Sequence, residues 1–193
     1  MDAETCSGRR RSRLPITVAE LRALVRTVPD FPAPGILFRD VTTLIAHGQG
    51  LAACVGHLAE RAAAAGAEMV AGIEARGFIF GAAVAARLGV GFVPVRKPGK
   101  LPVVTLGIDY ALEYGAGRLE IDPAAVAPGT QVLIVDDLIA TGGTALAAAQ
   151  LLRQAGAAVA HALFVIDLPD LAGSARLRRA GLTVEALIDF PGH

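Results

Sequence analysis

The sequence predicts an α/β protein built on a doubly wound parallel sheet. Short apolar runs rich in β-branched residues, of which VLIV (132–135) is the clearest, are typical of strands buried on both faces. These runs alternate with alanine-rich segments of helical composition, an order that favours parallel strands joined by helices. Apolar residues make up 53% of the 193-residue chain, which is enough for a single domain with a sizeable core.

Each element is predicted from its own local pattern. Thr17 and Glu20 have the spacing of a capping box, which begins a short helix through about Val25. Three prolines and a glycine in and just before DFPAPGILFRD (30–40) predict an irregular loop. Hairpin-like strands are expected around YALEYG (110–115). The remaining predicted elements are helices at 50–65, 78–88 and 144–155, and strands at 69–73, 90–95, 131–135, 159–166 and 183–188.

The domain boundaries follow from composition. Residues 1–15 carry an arginine cluster with no apolar segment behind it, so we expect a disordered tail rather than a signal peptide. A nucleic-acid arm is the alternative interpretation of that cluster. Residues 16–193 contain no convincing linker or repeat and are expected to form one domain.

The bulk composition excludes several classes of protein. A formal net charge of zero argues against a general nucleic-acid binder, since such proteins need a basic face. No apolar stretch approaches the ~20 residues that a membrane span requires. Two cysteines are too few for a disulfide framework, so we expect a cytoplasmic protein in a reducing compartment.

The segment VLIVDDLIATGGTA (132–145) carries the strongest functional signal. Its sequence lacks both the P-loop and the dinucleotide-binding glycine patterns. The run Ala140, Thr141, Gly142, Gly143, Thr144 lies at a predicted helix start, where free N–H groups and the helix dipole favour a phosphate.

Two carboxylates precede this predicted phosphate site. Asp136 and Asp137 cannot bind an anion, so they suit sugar hydroxyls, a divalent cation, or both. A site for a phosphate beside a site for a diol indicates a ribose phosphate as the ligand. The alternative is that the aspartates only cap the next helix.

VLIVDDLIATGGTA resembles the signature of the type I phosphoribosyltransferases, which bind phosphoribosyl pyrophosphate (PRPP). Four further motifs resemble, in the right order, the members of that family that use adenine: FPAPGILFRD (31–40), GIEARGFIFG (72–81), RKPGKLP (96–102) and YALEYG (110–115). The similarity covers roughly residues 25–190. It implies the fold of that family, with a small N-terminal and mid-chain hood over the base.

The resemblance implies transfer of the phosphoribosyl group from PRPP to adenine, giving AMP and pyrophosphate in purine salvage. Residues 140–144 would hold the 5′-phosphate, and Asp136 and Asp137 the ribose hydroxyls. Mg²⁺ would arrive with pyrophosphate rather than in an all-protein cage. Similar enzymes are two-fold dimers, so we expect a homodimer with its interface near residues 74–100.

The pyrophosphate side is also indicated by composition. Lys97 and Lys100 are the only lysines beside 16 arginines, and both lie in one loop with Arg96. Flexible point charges suit a phosphate that must bind and leave, although solvated loop lysines are the alternative. By resemblance, the segment Glu74, Ala75, Arg76 is a second pyrophosphate contact, and its Glu74–Ala75 peptide would be cis.

Base chemistry is assigned to Glu113 and to Leu37, Phe38 and Arg39. Glu113 lies between Leu112 and Tyr114, and partial desolvation would raise its pKa so that it shares a proton with adenine N7. An exposed strand glutamate is the alternative from the residues alone; the resemblance favours the catalytic role. Backbone groups of residues 37–39 would read the adenine edge, with Phe38 offering an apolar face.

Three rival functions are considered. A 6-oxopurine phosphoribosyltransferase is the closest, but the FRD and LEYG segments favour adenine. A PRPP-sensing regulator would need a DNA-reading domain, and only about thirty residues precede the similarity. A scaffold without catalysis is disfavoured by the presence of Glu113, Asp136 and Asp137.

Overall fold

The structure is a computed structural model that describes residues 16–111 and 115–192. The tail predicted at residues 1–15 lies outside the described residues. The helices are α1 (Val18–Ala23), α2 (Thr42–Ala46), α3 (Gly48–Ala64), α4 (Gly77–Leu88), α5 (Gly143–Gln154) and α6 (Gly173–Arg179). The strands are β1 (Arg26–Pro29), β2 (Leu37–Asp40), β3 (Met69–Ile73), β4 (Gly91–Val95), β5 (Leu106–Ala111), β6 (Ala116–Ile121), β7 (Val132–Ile139), β8 (His161–Asp167) and β9 (Thr183–Asp189).

Five parallel strands form the central sheet in the order β4-β3-β7-β8-β9, which confirms the predicted fold class. Alternate residues of β7 face opposite sides: Val132 and Ile134 belong to the buried cluster that includes residues of α5 and β6, whereas Leu133 and Val135 belong to the cluster that includes residues of α3 and α4. Both faces are therefore covered by other elements, as the continuous apolar run of β7 requires.

Two antiparallel hairpins stand outside this sheet. β1 pairs with β2 near the N-terminus, and β5 pairs with β6 in the middle of the chain, where hairpin strands were predicted. The predicted irregular loop at 30–40 is wrong for its last four residues, because Leu37–Asp40 pairs with Arg26–Pro29. The helices α2 and α6 were not predicted; both are short, and short helices depend on tertiary packing more than on local propensity.

The ends of α1 and α5 carry the capping residues that the sequence predicted. Thr17 and Glu20 form the predicted capping box of α1, with the Thr17 hydroxyl accepting from the Glu20 amide and the Glu20 carboxylate accepting from the Thr17 amide. Helix α5 gives way to Gly156, whose φ of 95° lies in the left-handed region that glycine adopts without a steric penalty. In the described part of the chain, no helix is both long and apolar enough to cross a bilayer.

The β1–β2 hairpin contains an ion pair between the exposed Arg26 and the buried Asp40. Asp40 is 9% exposed and accepts from Arg26 on the paired strand and from the Thr42 amide at 2.9 Å. The Thr42 hydroxyl and amide, together with Arg26, lower the pKa of Asp40 from its ordinary value of 3.8 to about 2. A depressed carboxyl pKa stabilises the folded state above the unfolded pKa, and that stability is lost as the pH falls through the folded pKa.

We therefore predict that Asp40→Asn lowers the free energy of unfolding at pH 7 by at most about 2 kcal/mol. The deficit should shrink as the pH falls from about 4 towards about 2, because the wild-type carboxyl becomes protonated in that window. Urea unfolding of both proteins across this range measures the effect. A deficit that stayed constant with pH would show that the charge of Asp40 does not contribute.

Candidate active site

One cavity of about 400 Å³ opens at the carboxyl edge of the central sheet, between the ends of β3 and β7. Ligands of open α/β sheets bind at this edge. The cavity is lined by Ile73, Glu74, Ala75, Arg76, Lys97 and the unbroken run 136–145. The structure thus brings together both aspartates, the predicted phosphate loop and part of the predicted pyrophosphate side.

The phosphate loop, residues 140–144, runs from the end of β7 into the first turn of α5. Gly142 precedes the helix with φ 75°, and no side chain of residues 16–111 or 115–192 caps the helix start. The first amides of a 12-residue helix are therefore free to donate to an anion, and the helix dipole favours a negative charge there. Thr144 Oγ1 lies 3.4 Å from the Tyr110 hydroxyl, which links the loop to β5.

Tight backbone packing supports the phosphate loop from the side of α6. A Cβ on Gly142 would lie 2.8 Å from Leu177 Cδ1 and 2.9 Å from the Gly173 carbonyl oxygen. A Cβ on Gly173 would collide with the Ala140 carbonyl oxygen and lie 2.8 Å from the Gly142 nitrogen. Sequence reasoning missed Gly173, because nothing in the local sequence AGSAR reveals a contact with a loop thirty residues earlier.

The two aspartates lie within β7 rather than after it, so the predicted end of this strand at Val135 is wrong. Asp137 is 5% exposed and accepts from Arg76 Nε at 2.5 Å. Asp136 Oδ1 accepts from the Asp137 amide at 2.9 Å and lies against Gly77, where a Cβ would come within 2.5 Å of it. Burial raises the pKa of Asp136 well above its usual range, and the neighbouring charge of Asp137 raises it further.

Glu74 organises the pyrophosphate side of the cavity. Its Oε2 accepts from the Lys97 amide at 3.0 Å and from Arg96 Nε at 3.2 Å, while Arg96 Nη1 donates to the Lys100 carbonyl at 3.1 Å. The Lys97 amide lowers the pKa of Glu74, and Arg96 and Lys100 act in the same direction. The Glu74 carboxylate is therefore occupied in shaping the loop that carries both lysines. The Glu74–Ala75 peptide is cis, as the resemblance implied.

The two predicted lysines differ in position. Lys97 lines the cavity, whereas Lys100 is outside the lining among the residues that the structure describes. A second carboxylate fixes the loop between them, because Glu120 Oε2 on β6 accepts from the Gly99 amide at 3.1 Å. Sequence reasoning missed Glu120, which resembles any solvent-facing residue of a hairpin strand.

The predicted base-reading residues lie on β2, beside the cavity. The Phe38 ring lies 5.6 Å from the Arg76 guanidinium and contacts the Phe31 ring edge-on, with centroids 5.2 Å apart. Arg39 is turned away from it and donates to Thr27 Oγ1 at 2.7 Å and to the Pro191 carbonyl at 3.0 Å. The Arg39 side chain is therefore engaged away from the cavity. Glu113 lies outside the described residues.

Comparisons with known proteins match this geometry. The family model "Phosphoribosyl transferase domain" matches residues 41–176. The adenine phosphoribosyltransferase of Novosphingobium aromaticivorans is 76% identical over 178 residues, which cover 92% of this chain and 100% of the relative. The chain belongs to the adenine phosphoribosyltransferase family.

Solved adenine phosphoribosyltransferases share the fold. The enzyme of Thermoanaerobacter pseudethanolicus is 45% identical with a TM-score of 0.85, and the alignment covers 90% of this chain and 100% of that one. The Saccharomyces cerevisiae enzyme, solved with an imino-altritol bisphosphate and adenine, is 38% identical with a TM-score of 0.82 over 89% and 98% of the two chains. The fold and family that the sequence motifs predicted are confirmed.

The packing of Gly142 generates a prediction. Gly142→Val should weaken binding of AMP and PRPP by at least tenfold while the central sheet stays folded. The expected cause is displacement of the loop from Gly173 and Leu177 and loss of its left-handed backbone, rather than a side chain filling the anion position. Calorimetric titration with AMP, alongside circular dichroism, measures both quantities.

Gly56→Ala on α3 is the control, because Gly56 does not line the cavity and its Cβ would meet no described atom within 4 Å. It should retain most of the AMP affinity. Equal loss in both variants would show that the contact with α6 is irrelevant to the loop.

Proposed function

We propose that this chain transfers the 5-phosphoribosyl group of PRPP to adenine, producing AMP and pyrophosphate. The observation that carries the proposal is the arrangement at one cavity: a helix-terminal phosphate loop, two adjacent carboxylates, and two cations, Arg76 after β3 and Lys97 after β4. PRPP carries a 5′-phosphate, a ribose diol and a pyrophosphate, which match the phosphate loop, the two carboxylates and the two cations. The names of the relatives support adenine as the base.

The phosphate loop and the aspartates would hold the two ends of the ribose phosphate. The amides of residues 141–144 and the threonine hydroxyls donate to the 5′-phosphate. Asp136 and Asp137 accept from the ribose hydroxyls, which lie beside that phosphate. Holding the sugar at both ends fixes the anomeric carbon against the incoming base, and such orientation supplies a large share of the rate in a transfer that uses no protein nucleophile.

Arg76 would couple the ribose to the departing pyrophosphate. Its Nε donates to Asp137, and its side chain is 46% exposed, so the terminal nitrogens of the guanidinium face the cavity region. A guanidinium has five N–H groups, and four of them belong to those terminal nitrogens. Negative charge grows on pyrophosphate as its bond to C1′ breaks. Arg76, already positioned by Asp137, and Lys97, which lines the same cavity, would stabilise that charge.

Mg²⁺ is proposed as the cofactor. It would screen the charge of pyrophosphate and share the ribose hydroxyls. The donor set fits a metal that arrives with its substrate, because Asp137 is already paired with Arg76. Both aspartates can still orient the hydroxyls around the ion.

Adenine would lie between the β1–β2 hairpin and the phosphate loop. Phe38 offers a ring face beside Arg76, and the backbone groups of residues 37–39 offer donors and acceptors to the base edge. Glu113, which follows β5 closely, is proposed to share a proton with adenine N7 as N9 bonds to C1′. Tyr110 on β5 lies against Thr144, so β5 leads towards the phosphate loop just before Glu113.

We further propose a homodimer in the cytoplasm. The exposed apolar side chain of Ile79 on α4, which is 41% exposed, lies within the segment 74–100 that was expected at the interface. Val104, beyond that segment, is 91% exposed. The one cysteine that the described residues contain, Cys54, is a buried free thiol, which suits a reducing compartment.

The proposed reaction is tested by incubating the protein with PRPP, Mg²⁺ and each of adenine, hypoxanthine and guanine. AMP should form from adenine at a far higher kcat/KM than either 6-oxopurine nucleotide forms from its base. Preference for a 6-oxopurine would select the rival enzyme. Tight PRPP binding without any nucleotide product would select the sensor or the scaffold.

Glu113 is tested by Glu113→Gln, which keeps the size of the side chain and loses its titrating proton. We predict that kcat falls by roughly 10²–10⁴-fold, the usual scale of general acid–base catalysis. The Michaelis constants should move far less, because ground-state contacts survive. A variant with near-normal kcat and a raised Michaelis constant for adenine would make Glu113 a binding residue only.

The dimer is tested by sedimentation at micromolar concentration. The protein should sediment at about twice its monomer mass, and Ile79→Lys should shift the distribution towards monomer because a charge on an apolar contact is costly to bury. Val18→Lys, on the equally exposed apolar residue of α1, is the control and should remain dimeric. A monomeric wild type with full activity would refute the dimer.

A further inference from the structure

The β1–β2 hairpin carries the proposed adenine segment, yet it is a separate two-stranded sheet. Isolated two-stranded hairpins are marginally stable in water, so this one needs an external anchor to hold a base at a fixed distance from the ribose. Within residues 16–111 and 115–192, one hydrogen bond joins this hairpin to a distant part of the chain. Arg39 donates it to the Pro191 carbonyl. The anchor therefore involves a residue of the adenine segment itself.

Arg39 connects both strands of the hairpin to the C-terminal end of the chain. Its Nη1 donates to Thr27 Oγ1 on β1, and its Nη2 donates to the Pro191 carbonyl, 152 residues away. The side chain is buried, with its guanidinium 4.7 Å from the centroid of the Phe190 ring. A cation–π interaction is stronger when the cation is desolvated than when it is exposed to water.

The C-terminal residues are themselves fixed to the central domain. The Phe190 amide donates to the Asp167 carbonyl at the end of β8, and the Gly192 amide donates to Asp170 Oδ2 at 2.7 Å. Arg22 of α1 lies over the same Phe190 ring, also at 4.7 Å. Two guanidinium groups therefore contact the Phe190 ring, one from α1 and one from the hairpin.

Successive residues of a strand point to opposite sides, and β2 uses this alternation. Phe38 lies beside Arg76 at the cavity, whereas Arg39 is directed to Phe190 and Pro191. A shift of the C-terminal residues would thus move the backbone of residues 37–39 relative to the phosphate loop. The residues proposed to hold the sugar phosphate lie on β7 and at the start of α5, and none of them belongs to β2 or to residues 190–192.

We propose that Arg39 is a positioning residue for adenine, and that Phe190, Pro191 and Gly192 form the clamp through which it acts. The inference rests on the proposed function, since it concerns the base-binding half of that site. The clamp sets the distance and tilt of the adenine segment and does not touch the sugar phosphate. Its loss therefore weakens use of adenine and spares use of PRPP.

The test compares Michaelis constants for the two substrates in Arg39→Lys and Phe190→Leu. Lysine cannot donate to Thr27 and Pro191 at once in the fork geometry of arginine, and leucine removes the aromatic face. Each variant should raise the KM for adenine about tenfold while the KM for PRPP stays within about twofold. Phe190→Tyr, which keeps the ring, should restore the KM for adenine.

Arg178→Lys is the matched control, because Arg178 also donates to a backbone carbonyl, that of Val184, but at the amino end of β9. It should leave both constants unchanged. If Arg39→Lys or Phe190→Leu fails to fold, Asp170→Ala tests the clamp instead. This variant removes the exposed carboxylate that accepts from the Gly192 amide, and it should raise the KM for adenine about threefold.

Equal increases for both substrates, or no change in the folded variants, would overturn the clamp. Failure of the wild type to make AMP from adenine would overturn the proposed function and the clamp together. AMP formation by the wild type with unaltered constants in the variants would reject the clamp alone.

Discussion

The parallel pairing of β3 with β7 is the constraint on which the site depends. Met69 to Gly72 pair in register with Val132 to Val135, so the two strands reach the carboxyl edge of the sheet side by side. Arg76, just beyond β3, consequently meets Asp137 near the end of β7. A shift of one residue in this register would turn every side chain to the opposite face and separate the ion pair. The proposed pyrophosphate cation and the proposed ribose-binding carboxylates are thus placed by backbone hydrogen bonds.

The sequence was sufficient to predict the sheet and most of its helices, because their signals are local. Buried strands such as Met69–Ile73 are continuous apolar runs, and the ends of α1 and α5 carry a capping box and a terminal glycine. The end of β7 was predicted too early, since two carboxylates at a strand end resemble the start of a loop. They remain in the strand because β8 pairs with it as far as Ile139.

Long-range contacts explain what the sequence could not predict at the site. Leu37–Asp40 was expected to be irregular because prolines precede it, but pairing with Arg26–Pro29 makes it a strand. The support of the phosphate loop by Gly173 and of the lysine loop by Glu120 depends on residues distant in sequence. The residues that face the ligand carry recognisable motifs, whereas the residues that hold them in place do not.

The separation of the β1–β2 hairpin from the central sheet has a consequence for how new specificities arise in this fold. The residues proposed to hold the sugar phosphate lie on the central sheet and beside closely packed glycines. The segment proposed to hold the base lies on a separate two-stranded sheet. Substitutions can therefore accumulate in this hairpin while the central sheet stays folded. Related proteins could in this way come to accept other bases while they continue to bind PRPP.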